Sequence, residues 1–277
     1  MAASHVVCRM EGVGLSLVAG LMVAAAQSVA GPGDRPAPRT DRNSQIAHEQ
    51  LVEKARRGGI DVYFAGDSIT RRWGTSDAPY RDLFDNWRRN FFGWNAANFG
   101  WGGDTVQNIL WRLTNGELDE VRPKVIVLLA GTNNVGAEPR HGVAGQVVDE
   151  VSSGISAILS VVRQKAPSAT VILTGVIPRR DREGGTSLMP TIGAINRKVA
   201  ALADGRGVRY VDINGRLAEK DGILIGGMTV DGLHLSAAGY QVWADALKPI
   251  FAEILGPPAA TDHAPPPTGD PSAREPR

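Results

Sequence analysis

Short apolar segments alternate along the chain with longer segments in which apolar residues recur every three or four positions. The short segments are candidate strands: Asp61–Ala65, Trp94–Phe99, Lys124–Ala130, Thr170–Thr174 and Val208–Asp212. The longer segments predict helices around residues 45–57, 78–89, 105–115, 143–165, 187–204 and 236–254. Within 143–165 the apolar residues Val147, Val151, Ile155, Ile158 and Val162 form one stripe at the period of an α-helix, which predicts a buried helix face.

Strands that are apolar at almost every position are typical of a parallel sheet with both faces covered. Because helices and strands alternate, we predict an α/β fold with a doubly wound, five-stranded parallel sheet and a flavodoxin-like layout. Residues 44–256 are assigned to this domain. In such sheets, ligands bind beyond the carboxyl ends of the strands, so candidate functional residues are sought there.

Composition and charge exclude several classes of protein. The 277 residues carry 30 basic and 29 acidic side chains, a formal net charge of +1, so there is no basic excess for binding nucleic acid. An apolar content of 43% argues against wholesale disorder. The single cysteine, Cys8, precedes the predicted domain, which therefore has no disulfide, thiolate nucleophile or cysteine-bound metal.

The two ends of the chain differ from its middle. An apolar stretch, Val13–Ala26, followed by Ser28-Val29-Ala30, predicts a signal peptide over residues 1–30, and hence export to the periplasm or the medium with no membrane span after cleavage. An uncleaved anchor helix is the alternative. Three of the 17 prolines fall in residues 31–40 and seven in 257–277, which predicts a linker over 31–43 and a disordered tail over 257–277.

Polar and glycine-rich motifs follow the candidate strands. They are Gly66-Asp67-Ser68-Ile69, Gly102-Gly103-Asp104, Gly131-Thr132-Asn133-Asn134 and, beyond the fifth strand, Asp231-x-x-His234. Together they offer a nucleophile, a base, a carboxylate to orient it and donors for an oxyanion, which is what acyl transfer requires. Each motif alone has a simpler explanation: a helix cap at Ser68, a structural histidine at His234, and turns at Gly103 and Asn133.

In this order, the four motifs resemble those of the SGNH (GDSL) hydrolases. The stretches 98–113, 115–127 and 131–134 are especially similar to the catalytic subunits of intracellular platelet-activating-factor acetylhydrolase, and the likeness spans about 44–254. The resemblance implies a three-layer α/β/α esterase with Ser68 as nucleophile, His234 as base and Asp231 as its partner. It also implies an oxyanion hole of the Ser68 and Gly103 N–H groups and the Asn133 side chain. Ile69 and Trp101 depart from the family pattern.

The substrate is predicted from the resemblance together with the tryptophans near the motifs. The resemblance favours short acyl groups, and an export signal with Trp73, Trp101 and Trp111 near the predicted site suits a carbohydrate O-acetylesterase. The alternatives are a lipolytic esterase (a lysophospholipase or an acetylhydrolase of platelet-activating factor), a thioesterase, or a non-catalytic module that binds glycans or proteins. Asp67, Trp101 and Arg179 are further candidates for substrate contact. No metal or cofactor is expected, flavin binding being only a fold-level option, and a homodimer is plausible by resemblance.

Overall fold

The structure, a computed structural model, describes Met1 and residues 32–136, 144–180 and 187–273. The predicted signal peptide, apart from Met1, lies outside the described residues. The strands are β1 (Val62–Gly66), β2 (Ala96–Asn98), β3 (Val125–Leu129), β4 (Thr170–Thr174) and β5 (Val208–Val211). The helices are α1 (Arg42–Arg56), α2 (Ser68–Trp73), α3 (Arg81–Phe91), α4 (Val106–Arg112), α5 (Thr132–Gly136), α6 (Ala144–Lys165), α7 (Met189–Ala200) and α8 (Ala237–Leu255).

The five strands form one parallel sheet in the order β2-β1-β3-β4-β5, which confirms the predicted doubly wound layout. Every residue of β1 and β3 is buried, as expected for a sheet covered on both faces. Because the order reverses at β1, the loop that follows this strand lies between the loops that follow β2 and β3.

Helices cover both faces of the sheet, and adjacent residues of a strand point to opposite sides. Tyr63 belongs to the apolar core beneath α1, α4, α6 and α7, whereas Phe64 belongs to the core beneath α2, α3 and α8. The α6 stripe predicted from Val147 to Val162 is buried in the first of these cores. Within the described ranges, every helix is too short or too polar to span a membrane.

The proline-rich ends differ from the prediction, because their described parts contact the domain. In the segment predicted as a linker, Ala37 donates its N–H to the Gln107 carbonyl at 3.1 Å, and α1 already begins at Arg42. At the other end, the Ala259 N–H bonds to the Gly93 carbonyl at 2.9 Å, and further contacts continue to Asp270. The tail is thus extended but not detached, since its backbone finds hydrogen-bond partners on the domain.

Candidate active site

Ser68 is the first residue of α2, directly after the end of β1. The helix is capped by the preceding residue, whose Asp67 Oδ1 accepts the Ile69 N–H at 2.9 Å. Since Asp67 supplies the cap, the Ser68 hydroxyl is not used for that purpose. Its Oγ lies 3.0 Å from Nε2 of His234.

His234 and Asp231 lie on the loop that leads into α8. Asp231 Oδ1 accepts the backbone N–H groups of Leu233 (3.0 Å) and His234 (2.7 Å), which fixes the turn between them. Its second oxygen, Oδ2, lies 2.6 Å from Nδ1 of His234. The three-residue spacing therefore brings the carboxylate to one ring nitrogen while Ser68 is at the other, the arrangement of a hydroxyl, a base and an orienting acid.

The charges around these groups favour a neutral imidazole at pH 7. Burial lowers the pKa of His234 below its ordinary value of 6.5, and Arg72 lowers it further, although the hydrogen bond that the ring donates to Asp231 opposes both. Burial alone would raise the pKa of Asp231, but the backbone N–H and the ring of His234 bring it down to about 2. With Asp231 ionised, Nδ1 carries the ring proton and Nε2 is free to accept the Ser68 proton.

The glycine-rich loop after β2 lies beside this group. Gly103 has φ +80°, and a Cβ at this position would come within 2.9 Å of Nη1 of Arg39, so only glycine fits without displacement. Arg39 Nη1 holds the loop by donating to the Gly102 carbonyl at 3.0 Å. On the other side, Asn133 Nδ2 donates to the Asp104 carbonyl at 2.8 Å. Ser68, Gly103 and Asn133 thus follow three adjacent strands.

The model of the GDSL-like lipase/acylhydrolase family matches residues 64–242, which contain Ser68, Gly103, Asn133, Asp231 and His234. The chain belongs to this family. Its position in the GDSL family agrees with the resemblance carried by the four sequence motifs, and the parallel sheet is the fold expected of it.

The curated relatives of this GDSL-family chain include platelet-activating factor acetylhydrolase IB subunits. Subunit alpha1 of Homo sapiens is 31% identical over 229 residues, covering 81% of this chain and 91% of that protein. Subunit alpha2 of Rattus norvegicus is 32% identical over 209 residues, covering 75% and 83%. A GDSL-like lipase of Bacteroides thetaiotaomicron shares the fold, with a TM-score of 0.60, 20% identity and coverage of 76% and 98%. Like its family, the protein is a hydrolase that acts on ester bonds, which disfavours a non-catalytic binding module.

A buried charge network lies beneath the glycine-rich loop of this GDSL-family protein. Arg112 donates from Nε to Asp104 at 2.7 Å, from Nη1 to Glu117 at 2.5 Å and from Nη2 to the Gly66 carbonyl at 3.2 Å. It thereby ties the loop after β2 to the end of β1. Burial raises the pKa of Asp104 to about 6, although Arg112 and Arg39 act in the opposite direction. The sequence did not predict roles for Arg39 and Arg112. The signal available for Arg112 was its position as a lone arginine within the apolar pattern of α4.

The residues suggested for substrate contact have different environments. Asp67 is fully buried as the cap of α2, where burial raises its pKa to about 7; it has a structural role there, and its contact with substrate stays a prediction. Trp73 is also fully buried, in the aromatic core under α3 and α8, and does not reach the site edge. Trp101 is 8% exposed and, with the half-buried Trp111, lines a cavity. Arg179 donates to the Thr132 carbonyl at 3.0 Å and lines a second cavity.

Two arginines of α2, the helix that begins at Ser68, are paired with acids. Arg71 lies 2.5 Å from Asp77, and Arg72 lies 3.6 Å from Asp231. Arg180 donates its backbone N–H to the Gly232 carbonyl at 2.7 Å. In the described ranges, no group of three or more His, Cys, Asp or Glu side chains is arranged to hold a metal ion.

Proposed function

We propose that the protein is a serine esterase in which Ser68 is the nucleophile, His234 the general base and acid, and Asp231 the residue that orients the imidazole. The observation that carries the proposal is the pair of contacts on the His234 ring, 3.0 Å to Ser68 Oγ and 2.6 Å to Asp231 Oδ2. Both lie within the hydrogen-bonding range that proton transfer requires. The lowered pKa of His234 keeps the base unprotonated at neutral pH.

The reaction follows from these roles in two halves. Ser68 Oγ attacks the ester carbonyl as its proton passes to His234 Nε2, and the resulting imidazolium returns that proton to the departing alcohol. The acyl-enzyme then reacts with water: His234 takes a proton from the water, and Ser68 regains one as the carboxylic acid leaves. Asp231 stays ionised throughout and stabilises the imidazolium.

The oxyanion of each tetrahedral intermediate is assigned to the N–H groups of Ser68 and Gly103 and the side chain of Asn133. Asn133 Nδ2 carries two protons, and its bond to the Asp104 carbonyl uses one of them. The other is left for the oxyanion, while the first fixes the direction of the amide. Held in place before the reaction begins, such donors lower the barrier because charge develops on the oxygen only in the transition state.

For the substrate we propose a short acyl group, acetyl above all, carried on a carbohydrate hydroxyl. The names of the curated relatives describe acetylhydrolases, which supports a small acyl group. A cavity lined by Trp101 and Trp111 near the glycine-rich loop supports a carbohydrate as the substrate. Export through residues 1–30 and homodimerisation are part of the same proposal, and both rest on sequence alone.

A lipid ester is the second candidate, favoured by the platelet-activating factor in the names of those relatives. Thioester hydrolysis would use the same residues and is a variant of the reaction with a better leaving group. Acyl-chain preference separates the two main candidates. A site for acetyl esters does not accommodate longer chains, so activity falls as the chain lengthens. A lipolytic site buries more apolar surface with each methylene, so binding strengthens with chain length.

The decisive experiment is hydrolysis of p-nitrophenyl esters from acetyl to palmitoyl by the wild type and by Ser68→Ala. We expect rapid turnover of the acetyl ester, a decline with chain length, and loss of activity in Ser68→Ala together with loss of labelling by a fluorophosphonate. Ser160→Ala, an exposed serine on α6, is the matched control and should behave as the wild type. Equal activity in Ser68→Ala and the wild type would refute the nucleophile, and a preference for long chains would favour the lipid ester.

A further inference from the structure

A cavity of about 240 Å³ lies beside the glycine-rich loop and has no part in the mechanism above. Its walls come from the segment before α1, the first turns of α1, the loop after β2 and the end of α4. The side chains that matter for the argument are Arg39, His48, Trp101 and Trp111. We refer to the space between them as the aromatic cavity.

The rings of the aromatic cavity are held in place by contacts with one another and with neighbouring side chains. Trp101 Nε1 donates to Ser44 Oγ at 2.7 Å, and the Arg71 guanidinium lies 4.6 Å from the Trp101 ring centre. His48 contacts Trp111 with ring centres 4.7 Å apart, and its Nδ1 lies 2.9 Å from Glu117. A ligand would therefore meet aromatic surfaces that are already oriented, so little conformational entropy is lost on binding.

The rim of the aromatic cavity is polar without being strongly charged. Gln45 and Glu49 are exposed along one edge and offer both hydrogen-bond donors and acceptors. Arg39 adds donors, but Asp41 lies 3.0 Å from its guanidinium and offsets the charge. Aromatic walls with a mixed polar rim suit a ligand with apolar C–H faces and hydroxyl edges. A neutral pyranose has this character, whereas an acyl chain would leave the rim unused.

The aromatic cavity is also connected to the catalytic loop. Trp101 precedes Gly103 by two residues, and Arg39 both lines the cavity and donates to the Gly102 carbonyl at 3.0 Å. We infer that this cavity is a subsite for a neutral sugar ring of an O-acetylated glycan, next to the ring that bears the cleaved ester. The inference rests on the proposed function and adds the position of a second sugar to it.

The test compares one large and one small ester in the full-length protein. The substrates are O-acetylated xylotetraose, a chain of neutral pyranoses, and p-nitrophenyl acetate, which is too small to reach both sites. Trp111→Ala removes an aromatic wall, and Gln45→Trp fills the cavity from an exposed position that does not threaten folding. Phe92→Ala, an aromatic residue 51% exposed outside the cavity, is the matched control.

We expect Trp111→Ala and Gln45→Trp to lower kcat/KM for the tetrasaccharide about tenfold more than for p-nitrophenyl acetate, mainly through KM. Phe92→Ala should change neither. Equal effects on the two esters would overturn the subsite while leaving the esterase intact. A selective loss on p-nitrophenyl laurate instead of the tetrasaccharide would overturn it in favour of an acyl chain.

Direct binding separates failure of the subsite from failure of the proposed function. Calorimetry with xylotetraose, which has no ester, is carried out on Ser68→Ala and on Ser68→Ala combined with Trp111→Ala. Binding that is weakened by loss of Trp111 supports the subsite whether or not the wild type is an esterase. Absence of binding to both xylotetraose and cellotetraose overturns it, even if p-nitrophenyl acetate is hydrolysed.

Discussion

Replacing Arg112 with Met should destabilise the protein by about 3–5 kcal/mol at pH 8, because the change leaves buried carboxylates without their cation. The Arg112 side chain is only 5% exposed, and those of Asp104 and Glu117 are fully buried. Methionine fills much of the same volume but donates no hydrogen bond to either acid or to the carbonyls of Gly66 and Phe99. For a domain of this size, the loss corresponds to a fall in Tm of roughly 6–20 °C.

The loss of stability caused by Arg112→Met should be larger at pH 8 than at pH 5. In the wild type, burial raises the pKa of Asp104 to about 6, and loss of the guanidinium raises it further. A carboxyl whose pKa is higher in the folded than in the unfolded protein weakens folding as pH rises through the folded value. At pH 5 Asp104 is mostly protonated in both proteins, so the difference between them shrinks; at pH 8 it is at its largest.

Urea denaturation of both proteins at pH 5 and pH 8 measures this difference. Arg56→Met is the matched control, since Arg56 is 57% exposed and its pair with Glu120, at 3.4 Å, lies at the surface. Such a pair contributes at most about 1 kcal/mol. The reasoning would be refuted if Arg112→Met lowered the free energy of unfolding by less than about 1 kcal/mol at pH 8, or by the same amount at both pH values. The buried ionic network would then not stabilise the fold.

Two further predictions concern the reaction itself. Asn133→Ala should lower kcat by about 10²–10³ with little change in KM, because the donor acts on charge that exists only in the transition state; steady-state kinetics with p-nitrophenyl acetate measures this, and a raised KM with unchanged kcat would contradict it. The kcat/KM of the wild type should fall on the acid side with a midpoint below pH 6.5, because burial and Arg72 lower the pKa of His234. A profile from pH 4.5 to 8.5 measures the midpoint, and a value above 6.5 would show that the imidazolium is favoured instead.

The strands and the larger helices could be predicted because their signals are local. The predicted strands agree with the observed ones to within two residues at each end, and the predicted helices to within four. Apolar runs and helical periodicity arise from burial, which acts on every residue of an element at once. The motifs after the strands were found for the same reason, since the carboxyl ends of parallel strands meet at one edge of the sheet.

The short helices and the destinations of single side chains could not be predicted in this way. Helices α2 and α5 are too short for a periodic pattern, and α2 depends on the cap at Asp67. The three tryptophans near the motifs look alike in sequence, yet Trp73 is a core residue whereas Trp101 and Trp111 line a cavity. Whether a tryptophan is buried or lines a cavity depends on which distant segment of the chain covers it. The local sequence pattern around each tryptophan does not contain that information.

The loop that carries Gly103 is held in place by residues from several separate parts of the chain. From within, Arg112 and Asn133 hold it through Asp104, and both lie inside the matched range of the family, 64–242. From outside, Arg39 holds the Gly102 carbonyl, and this residue lies outside that range. The loop is thus held both by residues within the matched range and by Arg39, which precedes that range and also lines the aromatic cavity.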